Sequence, residues 1–301
     1  MPHTLGQSLI RLRRPRALLG ACVALAALSA AVVAAPVSNA AQPTSMRVGS
    51  YNIRAGVSTA TFQDAVQAVA GISDVAGLQE VNSRAKESVL GQLSGWDYYR
   101  PYRAPGVTVA GEQSPVIWRS SRFTKVGARA VVIAPRADVE NSAGYVNKSF
   151  ATVVHLRDRS TGANLSVINV HLVPGAVING RATPHKPRLF AVYKTSVANL
   201  RALAGSERSF GAVYVMGDFN VGWVADKRVH LAGLPFAQFW SKLSMRSMWA
   251  TERPAGGTGS HVGSPSLIDQ VYAAHKAASA KVDYSTTYSD HYPVVATYTV
   301  G

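Results

Sequence analysis

The sequence predicts an α/β fold with mixed sheets, and three observations support this prediction. Apolar runs of strand length alternate with segments that have the apolar spacing of helices. Four consecutive strand-like runs between residues 116 and 172 have no helical pattern between them, which indicates hairpins beside helical crossovers. The 301 residues are 47% hydrophobic and 16% charged, without a linker or an internal repeat. We therefore expect one domain with a sizeable core over residues 42–301.

The strands and helices follow from these patterns in chain order. Two helices are predicted: Phe62, Ala65, Val66 and Val69 have the spacing i, i+3, i+4, i+7, and a longer amphipathic run follows Pro187. The nine strands predicted from apolar runs span residues 47–53, 74–79, 116–119, 125–133, 150–156, 165–172, 213–216, 267–273 and 294–300.

The first 41 residues differ from the rest, and we expect them to be a signal peptide. They contain four arginines between positions 11 and 16 and no acidic residue, followed by an apolar run over 17–35 and small residues over 38–40. A membrane anchor or lipidation at Cys22 is disfavoured, because the run is rich in alanine and continues well past Cys22. Arg13 and Arg14 hint at twin-arginine export, although Pro15 and Arg16 match that signal poorly. A secreted domain over residues 42–301 is expected.

The charge balance and the cysteine count restrict the classes of protein further. The chain has 31 Lys and Arg against 16 Asp and Glu, a net charge of +15, which becomes +11 once the four N-terminal arginines are removed. Such a charge suits polyanionic partners without identifying one. Cys22 is the only cysteine, so the secreted domain would have no disulfide, and no Cys/His cluster could hold structural zinc.

Polar residues of similar chemistry end many of the apolar runs. Ends of neighbouring strands meet at one edge of a sheet, so such residues can share one site although they are far apart in sequence. The eight residues are Asn52, Glu80, His171, Asp218, Asn220, Asp269, Asp290 and His291.

Each of these positions also has a structural interpretation when taken alone: Asn52 as a turn residue, Glu80 as a surface residue or one beside a helix N-cap, His171 as a core histidine, and Asp290 with His291 as a solvated turn. Asp218 and Asn220 follow a buried strand, and they would face one ligand if the chain stays extended past Gly217; a simple turn is the alternative. Asp269 lies within an apolar strand and needs a partner. A pair with His291 would fix the tautomer of the imidazole, whereas an arginine would make a structural salt bridge.

Six segments in this order and spacing resemble the endonuclease/exonuclease/phosphatase superfamily, and within it secreted deoxyribonuclease I. They are Ser-Tyr-Asn-Ile-Arg, Leu-Gln-Glu-Val, Asn-Val-His-Leu, Gly-Asp-Phe-Asn, Ile-Asp-Gln-Val and Ser-Asp-His-Tyr-Pro-Val, and they span nearly all of residues 42–301. The resemblance implies a four-layer α/β/β/α sandwich of two mixed sheets.

The same resemblance implies a divalent cation held by Glu80 with Asn52 and Asp290. Ligands that are all oxygen favour Mg²⁺, with Mn²⁺ or Ca²⁺ as alternatives, over zinc. The cation would neutralise charge on a phosphate ester as its P–O bond breaks.

The remaining roles are implied by the resemblance as well. Asp218 would orient or deprotonate the attacking water, and Asn220 would donate to a phosphoryl oxygen. His171, with Glu112 as its candidate partner, would assist the reaction together with His291, which Asp269 would hold. Arg54 matches an arginine that contacts duplex backbone in the deoxyribonuclease I branch.

We therefore expect a secreted, metal-dependent phosphodiesterase that hydrolyses nucleic acid, acting on DNA as an endonuclease. We expect a monomer. We also expect no stable membrane association, because among the loops of residues 42–301 only residues 234–240 are apolar enough to enter a bilayer, and they are better explained as the start of a helix. The alternatives are a phospholipid phosphodiesterase such as a sphingomyelinase, a phosphomonoesterase, or a basic binding protein without catalysis.

Overall fold

Two six-stranded mixed sheets form the centre of the fold in the computed structural model, which describes residues 44–101, 113–254 and 258–300. The first sheet has the strand order β15–β16–β1–β2–β4–β3. Its strands are β1 Thr44–Asn52, β2 Val75–Gln79, β3 Trp96–Tyr99, β4 Val116–Arg119, β15 Ser279–Val282 and β16 Val294–Val300.

The second sheet has the strand order β13–β14–β12–β9–β8–β5. Its strands are β5 Phe123–Ala134, β8 Ser149–Asp158, β9 Asn164–His171, β12 Ala212–Asp218, β13 Arg246–Ser247 and β14 Asp269–Ala273. Two small hairpins pair β6 Ala137–Asp138 with β7 Tyr145–Val146, and β10 Val177–Ile178 with β11 Arg181–Ala182. The predicted signal peptide and Glu112 lie outside the described residues.

Each sheet contains one parallel pair, and each pair is joined by a helical crossover. Helix α1 Thr59–Ile72 connects β1 to β2, and helix α3 Pro187–Glu207 connects β9 to β12. The other neighbouring strands are antiparallel. This mixture is the one that the sequence predicts, and all nine predicted strands are present with ends that differ by a few residues.

The helices lie outside the two sheets and complete four layers. Helices α1 and α2 Arg84–Gly91 pack on the outer face of the first sheet, where Phe62 and Val66 meet Leu78. Helix α3 packs on the outer face of the second sheet. Three further helical segments follow β12, namely α4 Trp223–Val229, a π-helix Phe236–Trp240 that continues into α5 Ser241–Leu243, and a 3₁₀ turn Met248–Ala250. The predicted α/β/β/α sandwich is therefore confirmed.

A core between the sheets contains side chains from both, such as Val48 of β1 and Val167 of β9. A polar bridge crosses this core near the strand ends. Gln79 Nε2 donates to Asn169 Oδ1 at 2.7 Å, and Asn169 Nδ2 donates to the carbonyls of Leu78 and Pro115 at 2.8 Å each. A Cβ at Gly77 would lie 2.5 Å from Asn169 Oδ1, so only glycine leaves room for this amide.

Asp226 of α4 is a fully buried carboxyl group outside these strand ends. Phe236 N–H donates to its Oδ2 at 2.8 Å, while its Oδ1 has no partner among the described residues. Burial raises the pKa of Asp226 from 3.8 to about 7, and the bond from Phe236 offsets only part of this shift.

Replacement of Asp226 by asparagine is expected to change how stability depends on pH. The unfolded chain releases this proton near pH 3.8 and the folded chain near pH 7, so the wild type loses stability as pH rises between these values. The loss is on the order of 4 kcal/mol for this group. Urea unfolding should show that the free energy of unfolding of Asp226→Asn, relative to that of the wild type, increases as pH rises to about 7 and stays constant above it. A stability difference that is independent of pH would contradict the raised pKa.

Candidate active site

The strand ends of both sheets bring the predicted residues to one edge of the sandwich. In the first sheet, Asn52 at the end of β1 pairs in register with Gln79, the residue before Glu80. In the second sheet, Asp218 at the end of β12 lies between His171 of β9 and Asp269 of β14. The parallel strands β1 and β2 of the first sheet and the parallel strands β9 and β12 of the second sheet therefore end at the same cleft.

Asn52 joins the two sheets at this edge. Its Nδ2 donates to Glu80 Oε1 at 3.1 Å and to Asp218 Oδ2 at 3.1 Å. Its Oδ1 is buried and has no partner among the described residues. An unpaired buried amide oxygen beside a carboxylate is suited to a cation, since an oxygen ligand is what a hard cation requires.

Glu80 is held in an uncommon backbone conformation, with a φ of 64°. Ala55 N–H donates to its Oε2 at 2.7 Å, so each carboxylate oxygen accepts one hydrogen bond and keeps a second lone pair. Lys86, which the sequence argument missed, donates through Nζ to Ala55 O at 2.9 Å. Burial lowers the pKa of Lys86, and the charge of Glu80 opposes that shift.

Asp290 lies in the turn before β16 and is partly exposed. Its Oδ2 is 3.6 Å from Nε of Arg54, a side chain that is 64% exposed. Ser289, a second residue that the sequence argument missed, connects this turn to β1: its Oγ lies 2.8 Å from Asn52 O and accepts from Arg54 N–H at 3.1 Å. Asp290 and Arg54 therefore border the cleft next to Asn52.

His291 and Asp269 form the predicted buried pair. His291 Nδ1–H donates to Asp269 Oδ2 at 2.8 Å. Burial disfavours the charged imidazole, but the carboxylates of Asp269, Asp218 and Asp290 outweigh it and raise the pKa of His291 to about 10. The ring is therefore cationic at neutral pH.

Two imidazoles flank the Asp218 carboxylate. His171 Nε2 lies 3.5 Å and His291 Nε2 lies 3.8 Å from Asp218 Oδ2. The His171 side chain is 23% exposed and that of His291 is 7% exposed, so His171 is on the more open side of the cleft. Asp218, Asp269 and His291 also have ligand atoms within 4.8 Å of one another, a spacing compatible with a cation. Nδ1 of His291 already hydrogen-bonds to Asp269 Oδ2, so a proton on this ring nitrogen accounts for the contact without a cation.

The segment after Asp218 differs from the expected extended chain. Asn220 has a φ of 49°, its N–H donates to Asp218 Oδ1 at 2.8 Å, and its Nδ2 donates to Leu172 O at 2.8 Å. The turn that was the alternative interpretation is thus what forms, and the expectation of an extended chain was wrong. Asn220 still lies at the cleft, because the turn hydrogen-bonds directly to Asp218.

One further histidine belongs to this region. The ring of His261 packs edge-to-face on His291 with centroids 4.8 Å apart, and its Nδ1–H donates to Val262 O at 2.9 Å. The backbones of His261 and His291 also form an isolated bridge. His261 lies outside every apolar run, so strand-end patterns could not identify it.

No protein-family model matches the sequence, and no curated protein matches it. Solved structures do match. An endonuclease/exonuclease/phosphatase family protein from Bacteroides thetaiotaomicron gives a TM-score of 0.66 at 19% identity, over 86% of this chain and 96% of that chain. The chain has the fold of these proteins. A mannosyl-6-phosphatase from the same bacterium gives 0.62 at 18% identity, over 85% and 100%. TDP2 from D. rerio, complexed with a single-strand DNA product, gives 0.57 at 12% identity, over 84% and 98%.

Gly217 is expected to be indispensable to the geometry of the cleft. Its φ is 149°, and a Cβ would lie 2.0 Å from Val170 O of the neighbouring strand. Gly217→Ala should therefore lower the free energy of unfolding by at least about 2 kcal/mol. Gly56→Ala is the matched control, because a Cβ there has no neighbour within 4 Å. Equal denaturation midpoints for the two variants would contradict the close approach of β12 to β9.

Proposed function

We propose that this chain is a metal-dependent phosphodiesterase that is secreted and hydrolyses nucleic acid, as an endonuclease acting on DNA. The observation that carries the proposal is the Asp218 carboxylate, which accepts from Asn52 and is flanked by His171 and His291. The fold shared with endonuclease/exonuclease/phosphatase proteins supports the same reaction class. Export by residues 1–41 is part of the proposal.

The cation would be held by Asn52 Oδ1, Glu80 and Asp290. The donor set fits, because it consists of oxygen atoms and includes the unpaired buried Oδ1 of Asn52. When bound, a divalent cation such as Mg²⁺ neutralises charge on the phosphate. Mn²⁺ and Ca²⁺ suit the same set of ligands.

The residues around Asp218 would carry out hydrolysis of a phosphodiester. A water attacks phosphorus and gives its proton to Asp218, the new O–P bond forms, and the ester P–O bond breaks. His171, on the open side, would give a proton to the leaving oxygen and regain one from solvent. The cationic His291 would stabilise charge on the phosphoryl oxygens, since Asp269 keeps it protonated. Asn220 would donate to one of those oxygens only if its Nδ2 leaves Leu172 O.

The choice of nucleic acid rests on charge and on one solved complex. Residues 42–301 carry a net charge of +11, and Arg54 extends from the cleft where a strand's phosphate could reach it. A structure of D. rerio TDP2 with a single-strand DNA product has this fold. A phosphomonoester is the second candidate substrate, because the fold is also that of a mannosyl-6-phosphatase. In the part of the chain that the structure describes, no helix is long and apolar enough to span a membrane.

Purified protein is expected to nick plasmid DNA in the presence of Mg²⁺, and nicking should stop when EDTA is added. Mn²⁺ and Ca²⁺ are tested in parallel, with sphingomyelin and sugar phosphates as competing substrates. Glu80→Gln should raise the Mg²⁺ concentration needed for half-maximal rate, because one ligand charge is lost. Hydrolysis of the lipid or of the monoester but not of DNA would refute the proposed substrate. DNA binding without cleavage in every metal would refute catalysis.

Replacement of either flanking histidine by alanine is expected to lower kcat by roughly 10²- to 10⁴-fold, the usual contribution of a positioned acid or base. His275→Ala is the matched control, since His275 is exposed and lies away from the strand ends of the cleft. Circular dichroism and thermal unfolding should be unchanged for His171→Ala. If the two single variants His171→Ala and His291→Ala both kept the kcat of the wild type, the assigned roles would be contradicted.

A further inference from the structure

Two consecutive residues after β1, Arg54 and Ala55, contact the surroundings of two of the proposed cation ligands. Ala55 N–H donates to Glu80 Oε2 at 2.7 Å. Arg54 N–H donates to Ser289 Oγ at 3.1 Å, and Ser289 is the residue before Asp290. The position of this short segment therefore sets the spacing between the Glu80 carboxylate and the turn that carries Asp290.

The hydroxyl of Ser289 joins the end of β1 to the turn before β16. Its O–H donates to Asn52 O at 2.8 Å, while Asp290 Oδ1 is farther away at 3.2 Å. Its oxygen accepts from Arg54 N–H at 3.1 Å and from His291 N–H at 3.4 Å. A hydroxyl has one proton and two lone pairs, so these contacts use its full capacity. One side chain thus fixes the turn against the strand that carries Asn52.

Lys86 of α2 holds the same segment through its carbonyl groups. Its Nζ donates to Ala55 O at 2.9 Å and to Arg54 O at 3.5 Å, and it lies 5.4 Å from the centroid of the Phe62 ring. Lys86 is only 3% exposed. A buried ammonium group is costly unless it has partners, and here the partners are backbone carbonyls, with the charge of Glu80 acting on it from nearby. The buried cation is therefore used to fix this segment of backbone.

The conformation of Glu80 makes such support necessary. Its φ of 64° is in a region that residues with a side chain seldom occupy, and such a backbone persists only where its surroundings hold it. Asn52 Nδ2 and Ala55 N–H each donate to one oxygen of the carboxylate. Because Lys86 holds Ala55, it supports one of the two bonds that orient Glu80.

We propose that Lys86 and Ser289 are positioning residues that hold the segment Arg54–Ala55 between them and thereby set the spacing of the cation ligands. Neither side chain is required to touch the cation or the phosphate. The inference rests on the cation site of the proposed function, and it is tested by cation binding without any substrate.

Binding of Mn²⁺, with the free ion measured by electron paramagnetic resonance, tests the role of Ser289. Ser289→Ala should raise the Kd of Mn²⁺ about fivefold or more, the loss of roughly one hydrogen bond. Ser289→Thr keeps a hydroxyl and should remain close to the wild type. Ser285→Ala is the matched control, because it removes a hydroxyl of the same turn that bonds to Asp283. An unchanged Kd for Ser289→Ala, or an equal rise for Ser285→Ala, would overturn the proposal.

Lys86→Met separates positioning from a simple effect of charge. If Lys86 acted only through its charge, its removal would make Glu80 more attractive to a cation, and Mn²⁺ would bind more tightly. Loss of positioning has the opposite sign, and we expect the Kd to rise about fivefold or more. Lys125→Met removes an exposed lysine from the edge strand β5 and should leave the Kd unchanged. Tighter or unchanged binding by Lys86→Met would overturn its role, and the Ser289 variants decide the proposal if Lys86→Met fails to fold.

Hydrogen exchange of single amides, followed by NMR in EDTA, measures the segment directly. The N–H groups of Arg54 and Ala55 are both hydrogen-bonded, so they should exchange slowly in the wild type. Exchange should become about fivefold faster or more at Arg54 in Ser289→Ala and at Ala55 in Lys86→Met, with the amides of β5 unaffected. Unchanged exchange at both residues would overturn the proposal, because the segment would not depend on either side chain.

The proposed function and this inference fail in different experiments. If the wild type binds Mn²⁺ but hydrolyses neither plasmid DNA nor bis(4-nitrophenyl) phosphate, the function is refuted and the positioning role, measured by Kd, stands. If it hydrolyses DNA while both variants bind Mn²⁺ as the wild type does, the positioning role is refuted and the function stands. A wild type that binds no Mn²⁺ would refute the cation site, and the positioning role with it.

Saturation with Mg²⁺ distinguishes the cation ligands from His291, whose N–H also contacts Ser289. Saturating Mg²⁺ should restore most of the kcat of Ser289→Ala, because excess cation compensates for weaker binding. A kcat that stays low at saturating Mg²⁺ would show that Ser289 acts through His291 and would overturn its role toward the cation ligands.

Discussion

The hydrogen bonds of Asn52 are the constraint on which the cleft depends. One amide nitrogen donates to Glu80 of its own sheet and to Asp218 of the opposite sheet, so a single buried side chain fixes the distance between the two sets of residues. Because the nitrogen is used in this way, the amide oxygen is left unpaired beside Glu80. The same orientation that aligns the sheets therefore provides an oxygen for a cation.

The polar bridge one layer below adds a second constraint between the two sheets. Gln79 directly precedes Glu80, Asn169 lies two residues before His171, and the amides of Gln79 and Asn169 hydrogen-bond between the sheets. A buried amide without partners would be costly, so these bonds tolerate little sliding of one sheet on the other. Gly77 and Gly217 allow the close approaches on either side of the bridge. Packing of apolar side chains alone would not specify the relative register of two sheets.

The sequence reveals the long elements and the strand-end residues because both depend on local patterns. Strands such as β16 and the helix after Pro187 have continuous apolar periodicity. Asp218 and Asp269 could be predicted as site residues because they lie at the ends of apolar strands of the same kind. Short elements without such a pattern were missed, as in α2, where the buried residues include a lysine. Asn220 was misjudged in conformation because Asp218 competes for its N–H, a contact between side chain and backbone that periodicity does not report. The contact of His261 with His291 depends on tertiary structure in the same way.

Charge is distributed unevenly, and this bears on how a polyanion could approach. Four of the 16 acidic residues, Glu80, Asp218, Asp269 and Asp290, lie at the cleft of a chain whose net charge is +15. A cleft with that many carboxylates repels phosphate unless cations compensate for them, and within the described residues His291 and Arg54 each lie beside one or more of these carboxylates. The groove lined by Trp223, Lys227, Arg228 and Arg253 has the opposite balance, with Glu252 as the one carboxylate among its described lining residues. If the chain hydrolyses nucleic acid as proposed, attraction of a strand and hydrolysis of its phosphate rely on different surfaces, because a site rich enough in carboxylates to hold a metal is a poor first contact for nucleic acid.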